Sequence, residues 1–197
     1  MIEKPTNTRQ QILRLGEKLL KEKGINAFSY YDISSSLGVK NAAIHYHFGS
    51  KEDLLLAIIE ENSKRFERIL EKNPGNQPAQ VWESLQEFFN IYISSIENNH
   101  QICLFGSLGS DFFTIGARGQ KSLKLLSESI LLWLNGILVE GKKQGKFEFR
   151  GKPRTRAIMI CSALAGGLQL ARISGKQDFY ELLDQIKSDL EPNQNKN

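Results

Sequence analysis

The sequence is poor in the residues that most often carry catalysis. Its 197 residues include only two cysteines and three histidines. The cysteines, Cys103 and Cys161, lie far apart in apolar surroundings, which favours buried thiols over a disulfide or a redox-active Cys103. The chain has no Ser-His-Asp, Cys-His or paired-carboxylate pattern and no phosphate-binding glycine motif. We therefore expect a protein that is not an enzyme and that holds no cofactor.

Long apolar runs are absent as well. No stretch approaches the ~18 apolar residues of a membrane span. The polar start, Met1 to Asn7, lacks the apolar segment of a secretory signal. We therefore expect a cytoplasmic protein without a membrane partner. Its hydrophobic fraction of 40% is nevertheless sufficient for a core.

The net charge of +4 is concentrated near the N-terminus. Residues 1–51 contain eight lysines and arginines but four acidic residues, whereas the remaining residues carry 18 charges of each sign. A basic end on an otherwise neutral chain indicates a polyanionic partner for that end.

The spacing of apolar residues predicts an all-α fold. From Thr8 to Lys23 the three-and-four spacing indicates an amphipathic helix, which Gly24 ends. Ser29, with an acid three residues later, marks the start of a short helix. Gly38 separates this helix from a third one that begins near Lys40, and together they form a helix-turn-helix. Further helices are predicted at 50–71, from 81 to about 98, at 119–143, 153–173 and 177–190, with a linker at 72–78.

The segment Gly38–Leu54, GVKNAAIHYHFGSKEDL, resembles the signature of the TetR family of regulators. That signature has Gly-Val, a short helix that ends in aromatic-X-His-Phe, and then Ser-Lys and a leucine. The resemblance covers about the first third of the chain. His45 stands where the family most often has tyrosine, and Ala43 stands where threonine is common. Both departures concern which DNA sequence is bound.

The resemblance implies a helix-turn-helix DNA-binding domain of three helices at 1–50 and a larger helical domain for effector binding and dimerisation at 51–190, followed by a disordered tail at 191–197. The third helix fits a major groove, and its early residues reach base edges. Ser29 and Lys51 lie at helix starts that suit phosphate. Tyr30 and Tyr31 either pack the domain or contact phosphate. The predicted DNA-binding residues are Ser29, Tyr30, Lys40, Asn41, Ala42, Ala43, His45, Tyr46, His47 and Lys51. His45 and His47 lie on different helix faces, so we predict no metal site.

For residues 51–190 the resemblance implies a small, largely apolar effector and the pairing of two chains. Aromatic and aliphatic residues predict an apolar pocket, although each of them is also compatible with an ordinary core. His100, Ser107 or Arg118 would orient the ligand. The pocket candidates are Trp82, Phe88, Phe89, Tyr92, Leu104, Phe105, Leu108, Phe112 and Trp133. The helix at 153–173 is apolar almost all round and must be covered. The predicted dimerisation residues are Ile160, Ala163, Leu164, Gly167, Leu168, Leu182, Leu183 and Ile186.

The function implied is that of a homodimeric repressor, which a small effector releases from a palindromic operator in double-stranded DNA. The helix at 50–71 joins both domains and is expected to transmit effector binding to the DNA-binding helices. Two alternatives stay open: a transcriptional activator on the same fold, and a helical protein-interaction module that does not bind DNA.

Overall fold

The computed structural model describes residues 7–72, 80–98 and 101–192. Residues 73–78 of the predicted linker, His100 and most of the predicted tail lie outside these ranges. Within them the chain is helical, without a strand, which confirms the all-α prediction. The helices are α1 Thr8–Lys23, α2 Tyr30–Leu37, α3 Asn41–His47, α4 Lys51–Lys72, α5 Val81–Glu97, α6 Leu104–Leu108, α7 Ala117–Lys143, α8 Pro153–Ser174 and α9 Gln177–Ser188.

Local capping explains where the first helices begin and end. Asn7 caps α1 through its side-chain oxygen, which accepts a hydrogen bond from the Arg9 N–H at 3.0 Å. A capping box starts α2: the Asp32 N–H donates to Ser29 Oγ, and the Ser29 N–H donates to the Asp32 carboxylate at 2.7 Å. Gly38 ends α2 in the left-handed conformation, with a φ of 66°. The predicted helix-turn-helix therefore follows directly from signals in the sequence.

The chain divides into two compact units. The first unit contains Met1–Ser63 and Leu104–Lys124, and the second contains Lys64–Cys103 and Leu125–Asn197. The predicted DNA-binding domain at 1–50, with the start of the connecting helix, lies within the first unit. The beginning of α4 belongs to this unit, and its apolar residues Leu54, Leu55, Ile58 and Ile59 are buried.

The segment Leu104–Lys124 joins the first unit through polar and apolar contacts. The Asn26 side-chain amide donates to the Asp111 carboxylate at 3.0 Å. Arg118 forms an ion pair with Asp53 at 3.6 Å. Ile115 is buried in this unit. Between α6 and the start of α7 at Ala117 the segment is not helical.

The core of the second unit is built on α5, α7, α8 and α9. Phe88 and Phe89 of α5, Leu134 of α7, Leu164 of α8 and Phe179 of α9 are almost completely buried. Helices α8 and α9 pack against each other, since a Cβ built on Gly167 would lie 3.2 Å from the Phe179 ring and 2.5 Å from Leu182. The absence of a side chain at this position therefore allows the two helices to approach closely.

Two helices, α7 and α8, are long and apolar enough to cross a membrane by length and composition. In each, the most apolar window has a mean hydropathy of 1.4, and 33% of that window is buried. This corrects the expectation that no stretch approaches the apolarity of a membrane span. That expectation counted uninterrupted apolar residues, whereas single polar residues and glycines interrupt these helices without lowering their mean hydropathy far. The same composition is typical of helices in a core or an interface.

Candidate nucleic-acid interface

Helix α3 is held to the first unit by one of its faces. Ile44 and Phe48 are buried. The Phe48 backbone carbonyl also accepts a hydrogen bond from the Tyr30 hydroxyl at 3.1 Å. The opposite face is open: Tyr46, for example, is 85% exposed. Helix α3 is therefore anchored by its apolar side and presents its polar side outward.

The predicted DNA-binding residues around α3 differ in exposure. Ala43 and His47 are half-buried, so each offers less surface to a partner than its neighbours do. The exposed members are Lys40, Asn41, Ala42, His45 and Tyr46. These five residues will be called the α3 face.

Tyr30 belongs to the core. Its side chain is only 8% exposed, and burial, with a smaller contribution from Asp53, raises the pKa of its hydroxyl to about 12. Its ring stands edge-on to that of His45, with 4.9 Å between the ring centroids. Of the two alternatives for Tyr30, the structure thus shows packing, and its inclusion among the DNA-binding residues is corrected. Tyr31 is 71% exposed and is the tyrosine of this pair that faces solvent.

The two helix starts predicted to bind phosphate are already engaged within the chain. The Lys51 ammonium donates to the Phe28 carbonyl and lies 4.5 Å from the centroid of the Phe28 ring. Partial burial lowers the pKa of this ammonium. The Ser29 hydroxyl donates to the Asp32 carboxylate at 2.7 Å, and this contact is the main cause that lowers the pKa of Asp32. A phosphate at Lys51 would have to displace the Phe28 carbonyl from the ammonium. A phosphate at Ser29 would be repelled by the Asp32 carboxylate.

Arg9 is a basic residue near α3 that the sequence analysis did not select. Its guanidinium lies 4.9 Å from the centroid of the Phe48 ring, directly beyond the end of α3. Arg9 is itself exposed. The two residues are far apart in sequence, so no local spacing reveals their contact, and only the positive charge of residues 1–51 hinted at it.

The predicted pocket residues are divided between the two units. Leu104, Phe105, Leu108 and Phe112 belong to the first unit, and the other candidates belong to the second. Ser107 is buried in the first unit, where Arg118 forms the ion pair with Asp53 described above. In the second unit the aromatic candidates form two groups. Trp82 stands edge-on to Phe147, at 4.8 Å between centroids. Phe66, Phe88, Tyr92 and Trp133 form a continuous chain of ring contacts, which will be called the aromatic cluster.

Comparison with known proteins agrees with this geometry. A family model described as "Bacterial regulatory proteins, tetR family" matches residues 12–58. The crystal structure of a TetR transcriptional regulator from Legionella pneumophila is 31% identical with a TM-score of 0.82, and the match covers 94% of this chain and 98% of that one. The chain belongs to the TetR family.

Two further relatives show how far the likeness to TetR-family proteins extends. A TetR-family regulator from Agrobacterium tumefaciens is 25% identical, with a TM-score of 0.84 and coverage of 93% of this chain and 97% of that one. The transcriptional repressor AcnR of Corynebacterium glutamicum is 34% identical over 71 residues, which are 36% of this chain and 38% of AcnR. The chain therefore matches little more than a third of the length of AcnR, and the strongest sequence likeness to it is local.

The predicted dimerisation residues of this TetR-family chain are mostly buried within one chain. Ile160, Leu164, Gly167, Leu168, Leu183 and Ile186 are buried, and Ala163 and Leu182 are half-buried. Burial within one chain leaves these six residues little surface to offer a second chain, and Gly167 packs against Phe179 and Leu182 of α9. The exposed apolar residues of α8 are instead Ile158, Met159, Leu170 and Ile173. A sequence that is apolar on all sides of a helix does not indicate which side the rest of the same chain covers.

Proposed function

We propose that this TetR-family protein is a transcriptional repressor that binds a palindromic DNA operator as a homodimer and is released by a small, largely apolar effector. One observation carries the DNA-binding part of the proposal: α3 is fixed by Ile44 and Phe48 while the α3 face is exposed. A rigid helix with one free polar side is the arrangement that major-groove recognition requires.

The chemistry of the α3 face suits DNA. Ala42 is small enough for the backbone of α3 to approach the groove closely, while Asn41 can pair with adenine through two hydrogen bonds. Lys40 and Arg9 supply positive charge beside this face for contacts with phosphate. Tyr46 and His45 carry polar groups on rigid rings. This set supports recognition of bases together with electrostatic attraction to the backbone.

A second copy of the chain is the proposed partner of α8. Ile173 is 86% exposed, and Ile158, Met159 and Leu170 of the same helix are also open to solvent. Exposed apolar residues aligned along one helix are typical of an interface. Pairing two chains through this side would present two α3 helices to successive major grooves, about 34–36 Å apart.

The second unit is the proposed site of the effector, and the aromatic cluster is its candidate wall. Helix α4 runs from residues of the first unit into residues of the second, so a shift of α4 can couple effector binding to DNA affinity. Several curated relatives are named as repressors, among them AcnR, which favours repression over activation. Action on DNA also implies a cytoplasmic location.

The first experiment is selection of bound duplexes from a random pool by the purified protein. We expect a palindromic consensus with half-sites one helical turn apart. Binding to that consensus should weaken steeply with salt, with log K falling by ~0.9 per log unit of salt for each phosphate contacted. Recovery of no consensus would favour the protein-interaction module instead.

Substitution then tests the α3 face against a matched lysine. Lys40→Ala should weaken binding to all duplexes and reduce the magnitude of the salt slope by about 0.9. The control is Lys152→Ala, since Lys152 is also exposed but lies in the second unit. Equal effects of the two substitutions would contradict binding through α3.

A further inference from the structure

The indole N–H of Trp133 is a buried hydrogen-bond donor whose partner is not found within the described part of the chain. Its Nε1 atom is buried, although other parts of the Trp133 side chain are partly exposed. A donor that leaves water without gaining an acceptor destabilises the folded protein, so such groups are rare and call for a specific explanation.

Aromatic rings from two other helices surround this indole. The centroid of the Trp133 ring lies 5.7 Å from that of Phe66, with the rings at 83°. It lies 5.6 Å from that of Phe88, with the rings at 50°. These rings come from α7, α4 and α5, and all belong to the second unit. An apolar wall with one unsatisfied polar atom matches the usual composition of a small-molecule site.

The end of the aromatic cluster at Tyr92 is polar but uncharged. The ring of Tyr92 lies 5.3 Å from that of Phe88. Burial raises the pKa of Tyr92 well above its usual value, with smaller contributions from the nearby Cys103 and Cys161. Burial also raises the pKa of Cys161 to about 12. The Tyr92 hydroxyl and the Cys161 thiol are therefore neutral at pH 7, and neither supplies a charge to attract an ionic ligand.

We propose that Trp133 recognises the effector by donating its indole N–H to an oxygen acceptor, and that the effector is a neutral, apolar molecule with a ketone or ester carbonyl. The proposal rests on the proposed function, because it assumes that the second unit holds the effector. A carbonyl oxygen satisfies the donor, while the apolar remainder of the molecule packs against Phe66 and Phe88. The neutral Tyr92 hydroxyl and Cys161 thiol would offer a charged ligand no opposite charge to offset its lost hydration.

The test uses two matched pairs of probes that differ only in the acceptor: acetophenone with ethylbenzene, and 2-acetylnaphthalene with 2-ethylnaphthalene. Calorimetric titration of the full chain should show that at least one ketone binds about fivefold to tenfold more tightly than its ethyl partner, the effect of one hydrogen bond. In the same titration, the indole ¹H–¹⁵N signal of Trp133 should shift. The signal of Trp82, the other tryptophan, should not move.

Trp133→Phe is the deciding variant, because it keeps an aromatic ring and removes the donor. It should bind each ethyl compound as the wild type does and lose the preference for the ketone, whereas Trp82→Phe should retain that preference. If Trp133→Phe fails to fold, the two indole signals of the wild type decide the question. Equal affinity within both pairs, failure of all four probes to bind, or a preference that survives in Trp133→Phe would each overturn the proposal.

This outcome is separate from that of the proposed function. The duplex selection needs no ligand, so a palindromic consensus without a ketone preference would refute the role of Trp133 alone. A ketone preference without any DNA consensus would refute the repressor function and leave the binding site standing.

Discussion

Two glycines of α7 provide a matched test of packing in the second unit. A Cβ built on Gly141 would lie 1.9 Å from Cδ2 of Phe147, whereas a Cβ on Gly136 would meet nothing within 4 Å. Phe147 is buried, and Trp82 stands edge-on to it, so its ring cannot move aside easily. Replacement of each glycine by alanine should therefore change stability in opposite directions.

The magnitudes follow from two effects. Alanine favours a helix over glycine by ~1 kcal/mol, so Gly136→Ala should raise the free energy of unfolding by about that amount. Gly141→Ala has the same gain, but a contact of 1.9 Å is far inside the usual carbon–carbon separation of about 3.5–4.0 Å. Overpacking typically costs ~1–3 kcal/mol, and so severe an overlap places the cost near the upper end. The net loss for Gly141→Ala is then about 2 kcal/mol.

Urea unfolding followed by circular dichroism measures both variants. Protein concentration must be held constant, because dimerisation would add to apparent stability. The difference between the two variants isolates the overpacking cost, about 3 kcal/mol. In the Gly141→Ala background, Phe147→Leu should recover part of the loss. The reasoning is refuted if Gly141→Ala stabilises the protein as much as Gly136→Ala does.

Three further predictions concern groups described above. Tyr30→Phe removes a buried hydrogen bond, so the free energy of unfolding measured with urea should fall by about 1 kcal/mol. Tyr31→Phe, at an exposed position, should change it by less than ~0.5 kcal/mol. Equal losses for the two variants would contradict the burial of Tyr30. The lowered pKa of Asp32 implies that this carboxylate stabilises the folded protein above the pKa of the unfolded carboxyl, and that this stabilisation is lost as pH falls through the folded pKa. Asp32→Asn should therefore make the melting temperature less sensitive to acid, and an equal fall in melting temperature with pH for wild type and variant would contradict this. In the wild-type protein, the Cys161 thiol, followed separately from Cys103 by peptide mass mapping, should react with Ellman's reagent at pH 8 on the order of a thousandfold more slowly than free cysteine. Labelling at the rate of the unfolded chain would refute that pKa.

Helix positions follow from the sequence because their signals are local. The predicted helix at 153–173 agrees with α8, since Pro153 suits a first turn and Gly175 adopts a φ of 100° after the last one. The capping box at the start of α2 is likewise contained within four residues. Such features depend on a side chain and its near neighbours, so they need no knowledge of the tertiary structure.

The orientation of side chains is harder to predict where both sides of a helix are apolar or aromatic. Tyr30 and Tyr31 are adjacent and chemically identical, and the buried one is distinguished by its tertiary contacts with the Phe48 carbonyl and the His45 ring. On α8 the sequence correctly indicated a helix that must be covered on several sides. It did not indicate that Leu164 is buried within the chain while Ile173 faces solvent. These outcomes depend on contacts between residues far apart in the chain.

The two-part composition of the first unit limits how this protein can be divided or recombined. A fragment that ends at Ser63 would lack the partners that Leu104–Lys124 provides, among them Asp111 for Asn26 and Arg118 for Asp53. Exchange of DNA specificity with a relative therefore requires the transfer of both segments, or a new surface in place of the second. Evolution of the two segments is constrained in the same way, because contacting residues that lie 65 to 85 positions apart in the chain must change together.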